Sequence, residues 1–235
     1  IEGAEGTDAM LERIAAMDRS RGDTGRRGVL TKGPKPGQEL RVDMPAIGPR
    51  TVELAVAAGL AAVAVEARAV LVLDRDETVR AADAHGCAIE GLPSGGRAGP
   101  GGIAFTHAEG RVLSRVRPSL RGRTDIARGL AAVECLAGFD TGSAVVVSRA
   151  YVLAFAAAEP VSAMLERVSA LRQWGMRGKR RVGVLVCRAD QAVDAPALQQ
   201  VIEAAARQGL AGIAVAGPAK ALAGYEDLSR CADAQ

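Results

Sequence analysis

The sequence predicts an α/β fold, built as two related layered units with short, largely buried strands and flanking helices. Three observations carry this. Short, continuously apolar runs of strand type alternate with amphipathic helical patterns. Hydrophobic residues make up 49% of the 235 positions but aromatics only 3%, so the core must be assembled from Ala, Val and Leu. The later part of the chain also echoes the earlier part in order, which is the mark of a tandem duplication.

The elements follow in chain order. Thr7 is placed to cap a helix that carries Met10, Leu11, Ile14 and Met17 on one face. Gly28 to Thr31 reads as a short strand, and after a Pro-rich loop Pro49 suits the first position of a helix running to about Ala58. Ala61 to Val65 and Val70 to Leu73 are strand-like, Asp76 to His85 is helical, and Cys87 to Ile89 forms a last short strand. The segment from Leu92 to Gly102, LPSGGRAGPGG, is too rich in Gly and Pro for either and reads as a linker. It sets off residues 1–92 from residues 103–235, with 93–102 between them. In the second part, Ala144 to Val147 and Tyr151 to Phe155 flank Ser148-Arg149-Ala150 as strand, turn and strand.

The echo is collinear. Glu5 to Arg13 resembles Glu159 to Arg167, Gly28-Val29-Leu30 matches Gly183-Val184-Leu185, and Ala58-Gly59-Leu60-Ala61 matches Gln208-Gly209-Leu210-Ala211. Asp43-Met44-Pro45-Ala46 pairs with Asp194-Ala195-Pro196-Ala197, and Arg80 to Ala84 with Arg230 to Ala234. The copies have ragged ends, the first starting where the second is well advanced, which suggests an element supplied across copies or a swapped homo-oligomer.

Composition excludes several classes. No run of 18 uncharged apolar residues is present, which rules out a membrane-spanning helix of that kind. A net charge of +3, from 30 basic and 27 acidic residues, is too balanced for an electrostatically driven nucleic-acid binder. Only His85 and His107 are present, so no histidine-rich metal site can form. Cys87, Cys135, Cys187 and Cys231 show no C-x-x-C pair, so they are expected as buried, reduced thiols of a cytoplasmic protein. The absence of a signal-peptide pattern at the start adds to that expectation.

The segment richest in chemistry is Lys32 to Gly48, KGPKPGQELRVDMPAIG. It follows a strand, at the edge where α/β proteins place ligands. Lys32, Lys35 and Arg41 supply cations, Gln38 an amide, and Glu39 and Asp43 carboxylates. Cations beside a carboxylate suit a pyrophosphate substrate, the cations neutralising phosphoryl oxygens and the carboxylate binding Mg²⁺ or orienting water. A solvated loop with incidental charges is the alternative, because no P-loop pattern is present. Glu5-Gly6-Thr7-Asp8 reads first as a helix start, with Thr7 capping and Asp8 complementing the dipole; a helix N-terminus is also an anion or metal-carboxylate position. The arginines at 111, 115, 117, 121, 123 and 128 have no interleaved aromatics and read as a solvated face, with peripheral contact to anionic lipid head groups as the alternative. Trp174 reads as a packing anchor, and Gly95 to Gly102 lacks the strand–turn–helix setting of a dinucleotide site.

Together these residues resemble a known family. Glu5-Gly6-Thr7-Asp8-Ala9-Met10, the run Lys32-x-Pro34-Lys35-Pro36-x-Gln38-Glu39-x-Arg41-Val42-Asp43-x-Pro45-x-Ile47-Gly48, then Thr51-Val52-Glu53 and Ala58-Gly59-Leu60, look like the C-terminal domain of LpxI-type UDP-2,3-diacylglucosamine pyrophosphatases. Residues 103–235, including Thr124 to Leu130, look like a degenerate second copy. The resemblance implies a cytoplasmic, Mg²⁺-dependent hydrolase of lipid A biosynthesis, cleaving a UDP-linked acylated sugar to UMP and 2,3-diacylglucosamine 1-phosphate. It implies that catalysis depends on Asp43, that Lys32, Lys35, Gln38, Arg41 and Thr7 hold the substrate, and that Glu5 and Asp8 complete the metal carboxylates. The family's N-terminal nucleotide-binding domain has no visible counterpart. Cys187 stands where Lys32 does, Ser162 replaces Asp8, and only Asp194 survives opposite Asp43, so the second copy is expected to be structural or allosteric. A non-catalytic nucleotide-sugar or lipid-binding module, or an assembly module, is the alternative function.

Overall fold

The computed structural model describes residues 1–17, 26, 28–35, 38–93, 115–137, 142–172, 181–188 and 195–217. Pro36, almost all of the 93–102 linker, His107, Arg111, Trp174, Asp194 and Cys231 lie outside the described residues. The chain divides into two compact units, Gly6–Ile103 on the one hand and Ile1–Glu5 with Ala104–Gln235 on the other.

The Gly6–Ile103 unit runs α1 (Thr7–Ala16), β1 (Val29–Lys32), β2 (Ala46–Ile47), α2 (Pro49–Ala57), β3 (Ala62–Glu66), β4 (Leu71–Val72), α3 (Arg75–His85) and β5 (Ala88–Leu92). Strands β1, β3 and β5 form a parallel sheet with β3 in the middle, and β2 and β4 form a separate parallel pair. The central strand is apolar on both faces, Val63, Ala64 and Val65 all being buried, as a strand covered on two sides requires. Met10 and Leu11 of α1, Val52 and Ala55 of α2 and Ala82 of α3 join Leu30 and Val63 in one core. Pro49 stands at the first position of α2, where its fixed φ and missing N–H cost nothing. Thr7 does not cap α1: Gly6, at φ 85, is the N-cap, no side chain caps the helix, and Thr7 is the first helical residue. Its hydroxyl is engaged elsewhere, as shown below.

The second unit runs α4 (Leu120–Ala137), β6 (Ala144–Ser148), β7 (Tyr151–Ala156), α5 (Val161–Arg172), β8 (Val184–Arg188), α6 (Ala195–Arg207) and β9 (Gly212–Ala216). Its mixed sheet has the order β7-β6-β8-β9, with β6 antiparallel to both neighbours and β8 parallel to β9. Alternation along β6 feeds two cores. Val145 and Val147 pack with Val133 of α4, while Ala144 and Val146 pack with Met164, Leu165 and Val168 of α5. Helices therefore cover both faces. Gly129 lets α4 approach closely, since a Cβ there would run into the Val186 side chain. Asp125, 3% exposed, accepts the amides of Arg149 at 3.2 Å and Ala150 at 2.7 Å, the two residues of the β6–β7 turn. Both turn residues have positive φ, 52° and 64°, a conformation that a two-residue hairpin demands and that Arg and Ala dislike. The chain start joins this unit: Ala4 donates its amide to the Leu153 carbonyl at 3.1 Å.

Arg121, Arg123 and Arg128 lie exposed on α4, as a solvated face predicts. Cys135 corrects the expectation of buried thiols, being exposed on the same helix, whereas Cys87 is buried and Cys187 half-buried. Among the described residues no helix is long and apolar enough to cross a membrane.

Candidate functional site

The parallel pairing of β1 and β3 sends both strands toward one sheet edge, and Lys32 is the last residue of β1, opposite Val65. Its ammonium donates to the Thr7 hydroxyl oxygen at 2.6 Å. This joins the sheet edge to the first turn of α1, where the helix dipole favours an anion. The hydroxyl is neutral, so this bond does not balance the Lys32 charge.

The loop after β1 is organised around Gln38. The Lys35 amide donates to Gln38 Oε1 at 2.8 Å, and Gln38 Nε2 donates to both the Asp43 carbonyl at 2.8 Å and Asp43 Oδ2 at 3.0 Å. One side chain thus fixes the orientation of the Asp43 carboxylate and leaves Oδ1 uncommitted on an exposed residue. The Asp43 amide donates back to the Glu39 carbonyl at 3.0 Å, closing the turn. Arg41 holds Glu39 with two side-chain bonds of 2.9 Å. Its guanidinium keeps the Glu39 carboxyl below the ordinary carboxylate range, and Glu39 in turn raises Arg41. Arg41 is therefore a cation already partly balanced, whereas Lys35 is exposed and carries no such partner among the described residues.

The structure thus brings together Lys32 with Thr7, and Lys35, Gln38 and Asp43 with one another, while Arg41 is tied to Glu39. Asp8 is held by Arg50 Nε at 2.8 Å, with Glu12 at 3.7 Å from the same guanidinium. Glu5 belongs to the other compact unit. Arg50 was not singled out from the sequence, although a cation in the first turn of a helix, the wrong end for the dipole, was a usable signal.

Mg²⁺ takes oxygen ligands and commonly uses one or two carboxylates together with substrate phosphates. Among the described residues no three His, Cys, Asp or Glu side chains cluster to form an all-protein cage. The oriented Asp43, with Oδ1 open, fits the one-carboxylate mode.

In the second unit Cys187 pairs with Val215 on the sheet as Lys32 does with Val65. Val161 opens α5 where Thr7 opens α1, so an apolar pair replaces the ammonium and hydroxyl. Burial pushes the Cys187 thiol up to about 12.

The sequence profile of the LpxI C-terminal domain matches residues 1–90 and 109–235. A curated relative, the UDP-2,3-diacylglucosamine pyrophosphatase LpxI of Caulobacter vibrioides, is 49% identical over 94 residues, which cover 39% of this chain and 34% of that protein. The chain thus spans about a third of the length of that relative. With both segments matched by the profile, the chain belongs to the LpxI C-terminal domain family.

Proposed function

We propose that this chain hydrolyses the pyrophosphate of UDP-2,3-diacylglucosamine to UMP and 2,3-diacylglucosamine 1-phosphate, in the cytoplasm, as a step of lipid A biosynthesis. The observation that carries the reading is the Gln38 grip on Asp43, which orients one carboxylate within a loop that also presents Lys35 and Arg41. Lys32, on the Thr7 hydroxyl, is placed to bind a phosphoryl oxygen at the start of α1. Lys35 and Arg41 line the exposed side of the loop and offset charge on the pyrophosphate. Asp43 accepts a proton from water or holds the metal through Oδ1. Mg²⁺, held by Asp43 and the phosphates, would neutralise charge as the phosphoanhydride breaks. The likeness of the two segments supports an origin by duplication in which only residues 6–92 keep the chemistry.

The test is UMP release from UDP-2,3-diacylglucosamine with Mg²⁺, using the whole chain. Wild type is expected to turn over and Asp43→Ala to lose activity by about a thousandfold with an unchanged circular dichroism spectrum. Unchanged turnover in the variant would overturn the role of Asp43. A second reading, a non-catalytic binding or assembly module, is favoured by the second unit, where Cys187 and Val161 stand at the positions that Lys32 and Thr7 hold in the first. It predicts affinity for the nucleotide sugar without UMP release under any divalent cation.

A further inference from the structure

We propose that residues 115–128, which lead into α4 and form its first half, act with the adjoining β6–β7 turn as a surface that seats the second unit on an anionic lipid bilayer. The contact holds whether or not the chain cleaves a nucleotide sugar. This stretch carries five arginines, Arg115, Arg117, Arg121, Arg123 and Arg128, all exposed, and one acid, Asp125. Asp125 is buried and uses both carboxylate oxygens on the turn amides, so it is turned away from the arginines' solvent side. Among the described residues no carboxylate pairs with Arg117, Arg121, Arg123 or Arg128. A chain of net charge +3 thus gathers its cations on one stretch.

The placement does not serve the helix. Arg121 and Arg123 are the second and fourth residues of α4, its first turn holds no acidic residue, and its last turn holds no basic one. The helix dipole favours the opposite arrangement, because the N-terminus already carries partial positive charge. Cations kept at that end suit an anion outside the chain.

Large apolar side chains stand among these arginines. Val116 is 75% exposed and Leu120, the first residue of α4, is 81% exposed. The buried side of α4, marked by Asp125, Gly129 and Val133, lies opposite Leu120 at 100° per residue. Asp125 also holds the β6–β7 turn against α4, and Tyr151, 74% exposed, follows that turn directly. A nucleic-acid backbone would satisfy the arginines and leave Val116 and Leu120 in water. A bilayer surface takes both. Guanidinium groups bind head-group phosphates, aliphatic side chains reach the acyl boundary, and a tyrosine suits the layer between.

The test is co-sedimentation of the whole chain with vesicles of phosphatidylcholine, alone or with about one-third phosphatidylglycerol, at low salt. Wild type is expected to bind only the anionic vesicles and to be released at about 0.5 M salt, where charge is screened. Arg121→Gln combined with Arg123→Gln is expected to bind about thirtyfold more weakly, about fivefold for each arginine, with an unchanged thermal midpoint. Arg75→Gln combined with Arg80→Gln removes the same charge from exposed positions on α3 and is expected to change binding little. Leu120→Ser is expected to weaken binding several-fold, because the aliphatic contact is lost. Absence of wild-type binding to the anionic vesicles, equal binding to phosphatidylcholine alone, equal losses in the two arginine pairs, or wild-type affinity in Leu120→Ser each overturns the proposal. Capture of a DNA duplex in place of the vesicles would overturn it too, and would assign the arginines to nucleic acid.

Discussion

The two units share a strand–helix–strand segment, β1–α2–β3 in one and β8–α6–β9 in the other, and differ at its edge. In one, Gly28 has φ 88 and its carbonyl accepts the Ala61 amide at 2.9 Å; in the other, Gly183 has φ 90 and accepts the Ala211 amide at 2.8 Å. Leu60 donates to the Ala55 carbonyl at 2.9 Å, and Leu210 donates to the Ala205 carbonyl at 3.0 Å. Gly59 and Gly209 end α2 and α6 with φ values of 74 and 66. Against that sameness, Lys32 and Thr7 correspond to Cys187 and Val161. The segment is held by backbone bonds and glycine conformations that tolerate side-chain change, so the residues at the strand ends can differ without loss of the fold.

Exchanging the edge chemistry tests this most severely. Cys187→Lys forces an ammonium into the apolar surroundings of the Cys187 thiol, beside the core that includes Leu185 and Met164, and should destabilise the second unit by about 3–5 kcal/mol, measured by denaturant unfolding. A loss below about 1 kcal/mol would mean the second edge still accommodates a cation. Asp125→Ala removes the acceptor of both hairpin amides and should cost about 2–3 kcal/mol, with no parallel in the first unit. Lys32→Cys, the reverse exchange, should lower kcat/KM by about tenfold or more with little change in thermal midpoint, because the residue is only partly buried.

The thiol itself gives a pH signature. Cys187 is held neutral in the fold to about 12, whereas the unfolded chain ionises near the ordinary value of 9.0. The native state therefore holds more protons in that interval. The stability contribution is complete below pH 9 and falls as pH rises from 9 towards 12, by up to about 1.4 kcal/mol per pH unit. Cys187→Ala should flatten this part of the stability profile. The smallest effect is expected for Arg41→Ala: the pair with Glu39 is exposed on both sides, so the thermal midpoint should not move, and only activity should respond.

Much of the architecture was legible. The continuous apolar runs marked β3 and β6, and Pro49 marked the start of α2, because burial on two faces and a fixed φ leave direct traces in sequence. The assignment of Thr7 as a cap missed because the competing partner, Lys32, lies 25 residues away and only the fold brings it near. The turn at Arg149 and Ala150 was placed correctly, yet Arg-Ala carries none of the usual glycine or asparagine signal, since Asp125 on a preceding helix does the holding. In the candidate site, the loop residues stood out by charge and spacing. Arg50 did not, because its place depends on pairing with Asp8, 42 residues away in sequence.

The Asp125 clamp also bears on how this unit is made. A hairpin whose turn residues resist their own backbone conformation is a poor starting point for local zippering. The β6–β7 ribbon should therefore close only after α4 has formed and delivered its carboxylate, so the order of assembly runs from helix to hairpin. Replacing Arg149-Ala150 by Asn-Gly would let the ribbon form by itself, and refolding of the unit should become faster and less dependent on α4.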